Sequence, residues 1–239
     1  MPHLHRFYIR PPALASDTAS LDGGEAHHAL RVVRVQVGDE IALFDGVGNE
    51  AIARVAALDR EAVRTEIVRR SRAERPARRL TLAVAWVHRD GPIEELVRRG
   101  TELGVSRFLF FRARRSERPI KSIEKCKRWA LESCKQCGRV WLPLIESANS
   151  LDEAIGENKG GAVAVAALGA KRPLVEAIPP QGDFAIFIGP AGDFVPEELE
   201  TLRAAGAVEF GLGPITFRTE AAALIAATIT LDRWGQFEM

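Results

Sequence analysis

Near residue 72 the hydrophobic pattern of this chain changes period, and no single sheet or helical bundle accommodates both halves. Before that point, Val32–Val37, Glu40–Phe44, Glu50–Ala57 and Ala62–Val68 are short runs rich in β-branched residues. Gly38-Asp39 and the segment Asp45-Gly46-Val47-Gly48-Asn49 punctuate them as tight turns. Strands at such short spacing predict a small barrel over residues 1–72, with Gly24–Leu30 as its one short helix. Ser71–Arg79 is charged, carries Pro76 and has no periodicity, as a linker would.

Over residues 73–239 apolar strands alternate with helices. Leu80–Val87 is a strand, and Ile93, Leu96, Val97, Gly100 and Leu103 then fall on one helical face. Glu94 with Arg98 and Glu95 with Arg99 form i,i+4 pairs on the other face. Strands at Arg107–Phe111, Val140–Ile145, Ala162–Ala167, Phe184–Ile188 and Val208–Phe210 follow, interleaved with helices at Ser122–Gly138, Leu151–Ile155, Leu174–Ile178, Pro196–Ala205 and Glu220–Trp234. The alternation predicts an α/β domain whose parallel sheet is covered on both faces. Ligands of such sheets bind beyond the carboxyl ends of the strands.

Three of those strand ends carry glycine-rich turns. They are Ala166-Ala167-Leu168-Gly169, Ile188-Gly189-Pro190-Ala191-Gly192-Asp193-Phe194 and Phe210-Gly211-Leu212-Gly213-Pro214, the last followed by Phe217-Arg218-Thr219-Glu220. Glycines there let main chain approach a flat ligand closely. A G-x-G-x-x-G fingerprint and a P-loop Lys-Ser/Thr are both absent, which disfavours dinucleotides and nucleoside triphosphates. Taken one at a time, each turn serves a tight βα connection equally well.

Cysteine and charge narrow the classes further. Cys126, Cys134 and Cys137 are too few and too odd in number for a disulfide framework. Cys134-x-x-Cys137 lacks a second ligand pair, so with Ala130 these residues read as an apolar helical stripe and no metal is expected. His27-His28 lacks a third ligand at useful spacing. Met1–Ser16 does not read as a signal peptide, and the longest apolar runs, Gly161–Ala170 and Ala221–Ile229, are too short to span a bilayer. A cytoplasmic protein without a membrane partner is expected. A net charge of +1, from 33 basic and 32 acidic residues, argues at first against nucleic acid. That mean conceals segregation: between Arg64 and Arg79 seven arginines face only Glu66 and Glu74, and later acids such as Glu153, Glu157, Glu176, Glu197, Glu198 and Glu200 restore the balance.

The order IGPAGDF then LGPITFRTEAA, with RGTELGV, RRSER and KQCGR upstream and HHALRVVRVQVGDEIALFDGVGNE near the start, resembles the SPOUT-class ribosomal RNA methyltransferases. The resemblance is to the bacterial small-subunit (16S) enzymes that methylate uridine N3, and it covers essentially the whole chain. It implies a PUA-like β-barrel ahead of a SPOUT-like α/β domain with a C-terminal trefoil knot. S-adenosylmethionine is the implied methyl donor, ribosomal RNA or the small ribosomal subunit the implied partner, and a homodimer through the knotted domain the implied assembly. By position, Leu168, Ile188, Gly189, Pro190, Gly192, Leu212, Gly213, Phe217, Arg218 and Thr219 would hold the cofactor. Arg218 and Glu220 would be catalytic, the first stabilising a developing imide anion and the second accepting a proton. Glu220 reads equally as a first-turn residue favoured by the helix dipole.

Arg6, Phe7, Arg10, Arg31 and Arg34 fall where the family's barrel faces RNA, with Phe7 and Tyr8 as stacking candidates. Arg115 and Arg139 match family positions for RNA phosphate, and Arg112, Arg114, Arg118 and Lys121 extend the basic set. The chain departs from the family at several points. The usual Gly-Pro-Glu-Gly-Gly reads Gly189-Pro190-Ala191-Gly192-Asp193, and Pro92, Lys135, Ile215 and Ala221 replace usual residues elsewhere. Asp tolerates left-handed backbone, so Asp193 is compatible with the turn. A SPOUT enzyme acting on another base or a ribose 2′-oxygen, and an inactive RNA-binding paralogue, are the alternatives.

Overall fold

The structure, a computed structural model, describes residues 4–87, 90–116, 122–158 and 160–238. The chain forms two compact units, Met1–Arg75 with Cys134–Leu142, and Pro76–Ser133 with Pro143–Met239. A division at 72/73 places Cys134–Leu142 with the second module, whereas this segment packs with the first.

The first unit contains β1 (Arg6–Tyr8), β2 (Thr18–Asp22), α1 (Gly23–His27), β3 (Glu40–Phe44), β4 (Asn49–Leu58) and β5 (Ala62–Arg72). They form one sheet in the order β1-β3-β4-β5-β2, antiparallel except for the β1–β3 pair. β4 alternates buried and exposed positions in its middle, because one face packs on the core and the other meets water. That core collects Phe7, Leu21, Ile41, Leu43, Val55 and Val63 beneath α1. The expected strand at Val32–Val37 is not formed: Val32 and Val33 end a helix and Arg34–Val37 lead through irregular backbone into a turn. α1 runs on into a π-helical turn at His28–Val33, which Arg34 terminates at φ 61°. Its β-branched residues imitate a strand locally, but Val32 and Val37 are exposed rather than paired.

Gly46 and Gly48 are required in this unit by close approach. A Cβ on Gly46 would lie 2.4 Å from Leu142, and one on Gly48 would lie 2.3 Å from Trp141. The main chain there bonds the same segment, from Leu142 N–H to the Gly46 carbonyl at 2.9 Å.

In the second unit come β6 (Leu80–Ala85), α2 (Asp90–Leu103), β7 (Arg107–Phe111), α3 (Ile123–Cys137, whose final turn belongs to the first unit), β8 (Leu144–Ala148), α4 (Leu151–Gly156), β9 (Ala162–Ala166), β10 (Phe184–Ile188), α5 (Pro196–Ala204), β11 (Val208–Phe210) and α6 (Thr219–Arg233). The sheet is wholly parallel in the order β11-β9-β10-β6-β7-β8. Every residue of β6 and β10 is buried, as two covered faces demand. Leu82, Val84, Ile186 and Ile188 pack toward α2 and α6, while Ala83, Ala85, Phe187 and Phe111 pack toward α4 and α5. β8 starts four residues later than the sequence suggests, because Trp141 and Leu142 are held by Gly48 and Gly46. Of the cysteine stripe, Cys126 and Cys134 are buried, and burial raises their thiols to about 11 and about 12; Cys137 is exposed. No helix among the described residues is long and apolar enough to cross a membrane.

Candidate active site

The carboxyl ends of β9, β10 and β11 lie side by side, and their three turns enclose one cavity with the start of α6. Leu168, Ile188, Gly189, Pro190, Gly192, Leu212, Gly213, Phe217 and Thr219 all line it, joined by Ala170, Asp193, Ile215 and Ala222. Gly211 allows two turns to touch: its N–H donates to the Arg172 carbonyl at 2.9 Å, and a Cβ there would sit 2.4 Å from the Ala170 carbonyl oxygen. The resulting slot between strand ends fits a flat heterocycle with edge hydrogen bonds better than a large charged group.

The second turn, Gly189–Asp193, is the hub of the cavity. Thr219 donates its hydroxyl to the Gly189 carbonyl at 3.0 Å, which fixes the start of α6. Asp193 adopts φ 63°. Its Oδ2 accepts from the Leu168 N–H and its Oδ1 from the Phe194 N–H, both at 2.8 Å. Arg115 donates to the Gly192 carbonyl. Behind it, the buried Glu198 accepts from the Arg114 N–H at 2.7 Å and the Val195 N–H at 3.1 Å, tying the end of β7 to the first turn of α5. Read in sequence, Glu198 belongs to an acidic run on a solvated face. Its only signal is its place three residues after Val195, where a first-turn carboxylate reaches back to the preceding main chain.

A family model described as an RNA methyltransferase domain matches residues 73–231, and one described as an RNA methyltransferase PUA domain matches residues 21–68. The chain belongs to the RNA methyltransferase family. Its architecture is the SPOUT-like α/β fold preceded by a PUA-like barrel. It is 29% identical over 243 residues to the ribosomal RNA small subunit methyltransferase E of Mycobacterium bovis, covering 95% of this chain and 92% of that protein. The Bacillus subtilis protein of the same name is 27% identical, with 87% and 88% covered. A crystal structure of the Neisseria gonorrhoeae protein of that name, bound to S-adenosyl methionine, superposes with a TM-score of 0.88 at 26% identity, covering 98% of this chain and all of that one.

In this RNA methyltransferase family member, Arg218 lies between two lining residues, is exposed and caps α6 in extended conformation; it does not itself line the cavity. Glu220 is half-buried in the first turn of α6 and is likewise off the wall. Arg10, Arg31 and Arg34 are exposed on the first unit. Two expected RNA contacts there are removed by burial. Phe7 has no exposed surface and sits in the barrel core beside His28, with the Lys135 ammonium 5.7 Å from its ring centre. Arg6 is paired with Glu50 and stacked on Phe44, and its Nε and Nη2 are inaccessible. Arg139 is half-buried, and desolvation holds its guanidinium below the usual arginine value. The departure at Lys135 has a local partner, since its ammonium bonds both Glu25 oxygens at 2.9 and 3.0 Å. Arg118 and Lys121 lie outside the described residues.

Proposed function

We propose that this chain transfers a methyl group from S-adenosylmethionine to N3 of a uridine in 16S ribosomal RNA, acting in the cytoplasm as a homodimer. The observation that carries the reading is the single cavity lined by nine of the ten residues expected to hold the cofactor. The names of the similar proteins and the S-adenosyl methionine bound by the Neisseria protein support it. Gly211 and Gly189 let the turns pack this closely, since a β-carbon would press on the Ala170 carbonyl at the first and on Phe194 and Asp193 at the second. We further propose that the C-terminal segment is threaded as the trefoil knot that the resemblance implies. The parallel bridge between Pro173 and Gly211 and the Thr219–Gly189 bond support that path. Half-buried Leu224, Ile225 and Ile229 on α6 offer the homodimer an apolar face.

The cofactor supplies a sulfonium methyl when bound. In the transfer, the sulfur–methyl bond breaks with its electron pair kept by sulfur, a nitrogen–methyl bond forms, and the uridine N3 proton leaves. The protein's part is to hold donor and acceptor in line. The Arg218 side chain makes no hydrogen bond or ion pair with another described residue and is exposed beside Phe217 and Thr219. Its proposed role is to stabilise the imide anion that forms as N3 loses its proton, and Glu220 is the proposed acceptor of that proton. Mass spectrometry of ribosomal RNA from cells with and without the gene tests the assignment. Loss of one methyluridine is expected, and an unchanged profile rejects the 16S reading. Arg218→Ala is expected to keep cofactor binding and the fold while transfer falls by about a hundredfold or more; full activity removes Arg218 from the mechanism.

A further inference from the structure

We propose that Asp193 makes the cavity selective for ligand charge, favouring a cationic sulfonium donor over the neutral thioether that remains after methyl transfer. The inference rests on the S-adenosylmethionine reading above and deepens it. A glycine is usual at this position in the family that the sequence resembles, so the carboxylate is a property of this chain.

The geometry holds that carboxylate in the wall. Asp193 lines the cavity, is half-buried and sits at φ 63°, a conformation that few side chains accept. Its two fixed partners, the N–H groups of Leu168 and Phe194 at 2.8 Å, are neutral, and no ion pair with another described residue cancels its charge. Two donors leave further lone pairs on the two oxygens unused. Among the described residues, the cations on the segments that line the cavity are Arg115, bonded to the Gly192 carbonyl, Lys171, Arg172 and Arg218; all are exposed to water, which screens them. Apart from Thr216 and Thr219, the remaining lining residues carry apolar side chains or none, and beside them a fixed charge acts at longer range than in bulk water.

Methyl transfer changes the ligand by one positive charge and little else in shape. A carboxylate in the same cavity therefore acts on the difference between donor and product. For unit charges several ångströms apart at the effective dielectric of a partly buried site, that difference amounts to about tenfold in relative affinity. The site would take up the sulfonium and release the thioether, with the sign set by one side chain.

Calorimetric titration of S-adenosylmethionine and S-adenosylhomocysteine into the full chain, Asp193→Asn and Asp193→Gly tests this. Asparagine keeps the shape, tolerates the left-handed backbone and retains an oxygen for the Leu168 N–H; glycine is relaxed at that φ. Both variants are expected to lose about tenfold in the donor-to-product affinity ratio, mostly through weaker donor binding. A ratio within about twofold of wild type in both folded variants overturns the proposal while leaving the cofactor assignment standing. A folded wild-type chain that binds neither compound overturns the cofactor reading and this inference with it.

Discussion

The cavity of the second unit and the basic surface of the first are made from different parts of the polypeptide. Around the cavity, shape is set by main chain: turns at Leu168, Gly189 and Gly211, with Asp193 and Thr219 bonding from one turn to the next element. On the first unit the basic surface is made of long cationic side chains, several of which are already engaged. Arg54 pairs with Glu40, Arg64 with Asp59 and Arg70 with Asp17, whereas Arg31 and Arg34 are exposed at the end of the π-helical turn. A main-chain wall fixes shape and is intolerant of added atoms. A side-chain surface is tolerant of single changes and is read through charge. The same residue count can thus give a rigid slot or a graded electrostatic face.

The largest break in that contrast should come from Gly211→Val. Its β-carbon would meet the Ala170 carbonyl oxygen at 2.4 Å, and main chain cannot step aside as a side chain does. We expect a loss of about 2–3 kcal/mol in stability and cofactor binding weakened beyond tenfold, read by thermal unfolding and calorimetry; a wild-type profile shows the two turns to be separable. Next comes Glu198→Ala, which strands the Arg114 and Val195 N–H groups in a buried setting. Its expected cost is about 2 kcal/mol, with a smaller loss of cofactor affinity, and Glu198→Gln should recover part of both.

On the first unit, Arg31→Ala should weaken RNA binding only a few-fold, flatten its salt dependence by roughly 0.7 per lost phosphate contact and leave cofactor binding unchanged. Arg34→Gly separates charge from strain. Glycine relaxes the left-handed backbone, so RNA affinity should fall while stability rises by up to about 1 kcal/mol; equal losses in both would assign Arg34 a structural purpose. Smallest of all is Arg64→Ala. Its pair with Asp59 is exposed on both sides, and removal should shift stability by no more than about 0.5 kcal/mol.

The second unit was legible in the sequence because two covered sheet faces force unbroken apolar runs. Phe184–Ile188 and Val208–Phe210 are strands at the expected bounds, and the other strands from β6 to β9, apart from β8, start where expected. The first unit was less so. β1 and β2 are three and five residues long and carry no pattern that a window can register. Val32–Val33 shows the opposite failure, a β-branched start to an expected strand that is kept helical by the turn it ends. At the cavity, the glycine turns marked the lining residues, since turn chemistry is local. Nothing local revealed that Phe7 faces the core, that Arg6 is engaged by Glu50 and Phe44, or that Glu198 leaves its acidic run to cap a loop 84 residues away. Those depend on the partners that the fold delivers.

One consequence concerns when, rather than where, the first unit forms. Gly46 and Gly48 are glycines because Leu142 and Trp141 occupy the space beside them. The ribosome must therefore add 67 residues after Arg75, the interval from 75 to 142, before that unit has all its parts. At typical elongation rates of ~5–20 residues per second this is a wait of about 3–13 s. During that wait a sheet with an uncovered apolar seat emerges first and is sealed by a segment synthesised later. The order of modules along the gene is not the order in which they can be finished.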